Sequence, residues 1–207
     1  MTTLKQYVRF SSLGLVVLLL APALAVAQPQ SSMTFGVKAG VNSSTLKSDQ
    51  SDADLKQLLG LVGGIFVGQN ISDSLALQVE GLFSQRGAKQ TVGSFDETIR
   101  LTYFDVPVLL RFGSTTRDGA HFHAFTGPQA SFNLRAEVKD ESTGTTIDLK
   151  DEVKSFALGW TVGAGVESGS LGLDARYTLG LTNLDASSTD DKVKDRTFAV
   201  MLSYRLK

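Results

Sequence analysis

The chain has 207 residues, no cysteine, 20 glycines and a formal net charge of −1. A charge so near neutral excludes a protein that works by neutralising nucleic-acid phosphates. The missing cysteines exclude a disulfide scaffold and a lipid-modified cysteine anchor, and the length suits one domain plus a targeting segment.

Lys5 and Arg9 precede an apolar run from Phe10 to Leu20, followed by small residues at Ala25 and Ala27. This is the order of a signal peptide, with cleavage expected after Ala27. The competing reading, a membrane anchor, needs about 20 apolar residues, and this run is shorter. The expected division is therefore a signal peptide over 1–27 and one domain over 28–207.

Beyond residue 27 the recurring pattern is alternation, which marks strands rather than helices. Segments near 34–42 and 61–70 alternate weakly. In 74–86, Leu75, Leu77, Val79 and Phe83 oppose Gln78, Glu80, Ser84 and Arg86. In 99–112, Phe104, Val106, Val108, Leu110 and Phe112 oppose Tyr103, Asp105, Pro107 and Arg111. A fifth segment covers about 120–134. The last three are clearest. Phe156, Leu158, Trp160, Val162, Ala164 and Val166 alternate with a glycine-rich face, and Leu171 to Leu181 and Phe198 to Leu206 repeat the pattern.

Eight strands are thus expected, joined by short turns at 71–73, 113–119 and 168–170. The other connections, 43–60, 87–98, 135–155 and 183–196, read as long polar loops. A short helix is expected within Asp52–Leu59, and a hairpin is expected to pair Arg135–Lys139 with Thr145–Asp151. Short turns at one end and long loops at the other describe an outer-membrane barrel with both chain ends at the periplasmic rim.

The fold class that follows is all-β: an eight-stranded antiparallel up-and-down transmembrane β-barrel behind a cleaved signal peptide. Lipid inverts the usual pattern, so apolar side chains face out and polar ones face in. The expected lumen set is Lys38, Glu80, Arg86, Asp105, Arg111, Glu167, Asp174, Arg176 and Arg205, five basic and four acidic residues forming a structural charge network. Interleaved charges offset one another's desolvation, and glycines on the same face leave room for long side chains. The alternative is a soluble, secreted lipocalin-like barrel whose aliphatic face points inward onto a small apolar ligand. Interfacial aromatic residues are expected at Phe35, Tyr103, Phe112, Phe156, Tyr177 and Tyr204.

Several segments resemble the PorT-like outer-membrane β-barrel family. They are Phe35-Gly-Val-Lys-Ala-Gly-Val-Asn42, Tyr103-Phe-Asp-Val-Pro-Val-Leu-Leu-Arg111, Gly127-Pro128, Gly163-Ala-Gly-Val-Glu167 and Asp174-Ala-Arg-Tyr-Thr-Leu-Gly-Leu181. The resemblance spans the mature chain and implies an eight-stranded outer-membrane barrel. The family's name-giving member is associated with protein secretion across the outer membrane.

Catalytic and metal signals are sparse. His121 and His123 share one face and would need a carboxylate such as Asp105 to hold a metal; polar filling of the lumen is the plainer reading. Asp185, Asp190, Asp191 and Asp195 form no twelve-residue calcium pattern, and no helix follows Gly163-Ala-Gly165 to make a phosphate cradle. The expectation is a non-catalytic protein of the outer membrane without a cofactor. Its expected role is structural, surface-interacting or accessory to secretion or the envelope. The lipid bilayer surrounds it, the barrel-assembly machinery inserts it, and a secretion or envelope complex is its candidate partner. It is expected to be a monomer and to bind no nucleic acid.

Overall fold

Each of eight long strands has a hydrogen-bonded neighbour on both sides, so the sheet has no edge through the barrel wall. The computed structural model describes residues 33–48, 56–92, 95–140, 146–148, 153–182 and 193–206. The expected signal peptide lies outside them. The strands are β1 (Met33–Ser48), β2 (Lys56–Asn70), β3 (Leu75–Val92), β4 (Phe95–Thr115), β5 (Ala120–Asp140), the short β6 (Thr146–Asp148), β7 (Phe156–Ser168), β8 (Leu171–Gly180) and β9 (Val193–Leu206). All neighbours run antiparallel, and β1 pairs with β9 to close the barrel, while among the described residues β6 pairs only with Glu137–Lys139 of β5.

Register fixes the strand tilt. A row of partners runs from Leu77 through Leu110, Thr126, Val162, Tyr177, Phe198 and Ser43 to Leu59. Beside Leu59, Gln57 of β2 pairs with Ala88. One circuit therefore climbs β3 by about ten residues, the stagger of a strongly tilted eight-stranded barrel.

Three tight turns lie at the end that holds Met33 and Leu206. Ile71–Ser74 is closed by the Ile71 amide donating to the Leu75 carbonyl at 2.8 Å. In Thr116–Gly119 the last residue has φ +81°, and in Gly169-Ser170 the glycine has φ +60°. Both glycines occupy the left-handed region that a side chain disfavours.

At the opposite end the strands run further than the polar sequence suggested. Residues 87–92 and 95–98, expected as loop, are strand, and residues 93–94 lie outside the described residues. Lys56–Gly60 belong to β2, which overturns the expected helix there; Asp52–Leu55 lie outside the described residues. The expected hairpin is present: Glu137, Val138 and Lys139 pair with Asp148, Ile147 and Thr146. Polarity misled the loop assignment because polar residues stand at both parities in 89–91 and 96–98, which removes the apolar–polar alternation that marks a strand.

The outer surface is apolar on every barrel strand. Leu59, Leu61, Ile65, Phe83, Leu171 and Leu202 are each at least 59% exposed. One outward row is built of phenylalanines alone, with Phe83, Phe104, Phe132 and Phe156 as successive cross-strand partners. The rings of Phe83 and Phe104 lie 5.3 Å apart, and those of Phe132 and Phe156 5.4 Å apart. Of the expected interfacial aromatics, Tyr103 instead points inward and is buried. The lipocalin-like alternative, which needs an apolar lumen and a polar exterior, is contradicted on both faces.

Val162, at the centre of the β7 outer row, tests which medium this surface meets. V162R is expected to lower stability by about 2–4 kcal/mol in urea titrations on lipid vesicles, against about 0–1 for Q57R beyond the apolar belt. Equal effects would place both positions in the same medium.

Candidate functional site: the charged lumen

An eight-stranded barrel leaves space for side chains and little else. The inward face of this one holds three groups of charges. In the central group Glu80 of β3 receives Lys38 Nζ from β1 at 2.9 Å and Arg176 Nη1 from β8 at 2.6 Å. Gln78 Nε2 donates to the same carboxylate at 2.6 Å. Lys38 also contacts Asp174, whose other oxygen meets His123 Nε2 at 2.9 Å. All of these side chains are buried.

The second group lies toward the end with the longer strands. Arg86 contacts Asp105 and places Nη1 2.8 Å from Asp195. The Ser131 hydroxyl donates to Asp105 at 2.6 Å, and the Thr197 hydroxyl donates to Asp195 at 3.1 Å. A third group sits near the tight turns, where Glu167 is held between Arg111 and Arg205, the latter at 2.6 Å. Arg111 also donates to Gln78 at 2.7 Å, which joins this group to the central one.

All nine residues of the expected lumen set fall into these groups. Sequence reasoning missed Asp195, which it placed in the last loop. Asp195 lies two residues before Thr197 and shares its inward face, so extending the β9 alternation backward finds it. With Asp195 included, five cations (Lys38, Arg86, Arg111, Arg176, Arg205) meet five carboxylates (Glu80, Asp105, Glu167, Asp174, Asp195). Asp185, Asp190 and Asp191 lie outside the described residues.

Aromatic rings complete the cation sites. Lys38 lies 5.2 Å from the centre of Phe66, Arg86 5.2 Å from Tyr103 and Arg176 5.2 Å from Phe125. In desolvated surroundings such a contact contributes about 2 kcal/mol. Two inward glycines make the space: a Cβ at Gly36 would overlap the Phe66 ring, and one at Gly163 the Phe125 ring. The glycine face therefore accommodates aromatic rings as well as long charged chains.

The metal reading of the histidines meets a different geometry. The carboxylate on His123 is Asp174, not Asp105, because the β4–β5 register sets His123 opposite Gly113 and Asp105 opposite Ser131. His121 stacks on His123 with ring centres 6.0 Å apart, and its Nδ1 lies 3.1 Å from the Thr115 hydroxyl. Among the described residues, no three His, Asp or Glu side chains converge on a metal position. Both oxygens of Glu80, Asp105, Asp174 and Glu167 are engaged by cationic, imidazole or hydroxyl groups.

A closed sheet with an apolar exterior and an ionised interior defines a transmembrane β-barrel protein of the outer membrane. The family described as outer membrane protein beta-barrel domain matches residues 26–186, and the chain belongs to it. A search of curated proteins gave no match. Among solved structures, Neisserial surface protein A is similar, with 17% identity over 84% of this chain and 99% of that one and a TM-score of 0.50. Ail, the attachment invasion locus protein of Yersinia pestis, is 18% identical over 84% and 99%, with a TM-score of 0.49. The outer membrane enzyme PagL is 10% identical over 80% and 98%, with a TM-score of 0.38. At 17% identity the likeness to Neisserial surface protein A is one of fold.

Burial separates the energetic roles of the three groups. E80A leaves Lys38 and Arg176 with Asp174 as their one shared carboxylate and is expected to cost about 3–5 kcal/mol. E167A, beside an Arg205 side chain that is 42% exposed, is expected to cost about 1 kcal/mol or less. Urea unfolding of both variants in vesicles measures the difference, and equal losses would contradict the assigned burial.

Proposed function

We propose that this protein is a non-catalytic interaction barrel of the outer membrane, plugged by its own lumen and working through what it holds above the bilayer. The lumen charges serve as structural filling. Their pairing offsets burial and, among the described residues, engages every carboxylate of the network. Export uses the signal peptide over residues 1–27, the barrel-assembly machinery inserts residues 28–207, and the chain acts as a monomer. The PorT-like resemblance of its strands points to an accessory role in a secretion or envelope complex.

One observation carries this reading. β3, β4 and β5 continue as paired strands to Val92, Phe95 and Asp140, well past the phenylalanine row at Phe83, Phe104 and Phe132. At about 3.3 Å per residue, that is roughly 30 Å of paired strand beyond the row. A paired sheet presents a surface at lower ordering cost than a loop does. Its polar residues cannot be there to meet lipid.

Photoreactive side chains introduced at 90, 91 and 96 are expected to crosslink to an envelope partner in the host, and those at the lipid-facing positions 162 and 173 are not. Replacing 89–98 by a two-residue turn should abolish that crosslink while the folded protein keeps its faster gel mobility before boiling. A truncated protein that retains every partner, or stable ion conductance in planar bilayers, would contradict the proposal.

A further inference from the structure

The outer face of β3, β4 and β5 changes chemistry within one step of register. Its phenylalanine row is followed directly by Gln85, Thr102 and Arg135, which are cross-strand partners. The next row is Gly87, Arg100 and Glu137. A β-bulge sits at this boundary: Thr102 pairs with Arg135 and Tyr103 with Asn133, which leaves Leu134 as the extra residue. Bulges re-aim side chains. Here Leu134 and Arg135, adjacent in sequence, both face outward, at 44% exposure for Leu134 and 71% for the Arg135 side chain.

Two guanidinium groups therefore stand immediately above an aromatic apolar strip. Arg135 Nε contacts Glu137 at 2.8 Å. Arg100 is exposed, its β3 partner Gly87 has no side chain, and among the described residues it makes no ion pair. One carboxylate thus faces two arginines, a local excess of positive charge next to the bilayer boundary. The acidic positions Asp96, Glu97 and Asp140 come later along the strands, beyond the register row of Lys89, Thr98 and Lys139.

We propose that this face binds a phosphorylated glycolipid of the surrounding outer leaflet. The acyl chains lie along Phe83, Phe104, Phe132 and Leu134, and a headgroup phosphate is clamped by Arg100 and Arg135. Guanidinium groups suit this role because they pair with phosphate oxygens bidentately and stay charged at the membrane surface. A protein partner at the same height would have to cover a row of lipid-facing phenylalanines; a lipid already has its chains there. The site rests on the membrane orientation given by the tight turns, not on the interaction role proposed above.

The test is native mass spectrometry of the full mature protein, folded in detergent, with diphosphoryl lipid A as the probe and the same lipid with its phosphates removed as comparison. Wild-type protein is expected to retain the phosphorylated form in preference. R100Q/R135Q is expected to weaken that binding about tenfold or more. R196Q, an exposed arginine on β9, should leave it unchanged. Equal retention of the two lipids by wild-type protein would overturn the proposal without any variant, as would undiminished binding by folded R100Q/R135Q. Loss of the partner crosslink with lipid binding intact would instead count against the interaction role alone.

Discussion

A strand lying in hydrocarbon can place its backbone N–H and C=O groups only on another strand. Every other feature of this barrel follows from that constraint. The sheet must close, and closure is made by the β1–β9 ladder running from Phe35 to Ser48 against Leu206 to Val193. Eight tilted strands then enclose a narrow interior, and that interior must be filled. Outside, the surface is chosen by lipid and becomes aliphatic and aromatic. Inside, side chains that cannot face lipid have to satisfy one another.

The way they do so is specific. Each deeply buried cation touches two carboxylates and one aromatic ring. Lys38 and Arg176 share Glu80 and Asp174, while Arg86 has Asp105 and Asp195 to itself. Desolvating an ion costs several kcal/mol, and only multiple well-placed partners offset it. The glycines opposite the rings are part of the same arrangement, since a side chain at Gly36 or Gly163 would displace Phe66 or Phe125 from beneath its cation. The interior is therefore a salt lattice braced by aromatics, with the Ser131 and Thr197 hydroxyls donating to Asp105 and Asp195.

Much of this was legible in the sequence because a membrane barrel writes its two environments onto alternate residues. The inward parity of Asp174 and Arg176 follows from Leu173, Ala175 and Tyr177 on the same strand. What was not legible lay where that alternation stops. Around Asp195 and Lys56, and in residues 87–92 and 95–98, polar residues stand at both parities, which removes the pattern, so strand read as loop or helix. Tyr103 was assigned to an interfacial girdle although its alternation with Phe104 already set it on the inward face with Asp105, and the structure places it over Arg86. The pairing of His123 with Asp174 likewise depends on which residues oppose one another on β5, β7 and β8, and spacing along one strand does not reveal it.

The central claim is that one face of each strand meets lipid and the other meets a solid polar interior. The absence of cysteine makes site-directed spin labelling direct. Single cysteines at 198 to 204 of β9, labelled with a nitroxide in the vesicle-reconstituted protein, report collisions with oxygen and with a water-soluble nickel chelate. The account predicts high oxygen and low chelate accessibility at 198, 200, 202 and 204, and low accessibility to both at 199, 201 and 203. High chelate accessibility at the even positions, or loss of the two-residue period, would contradict it.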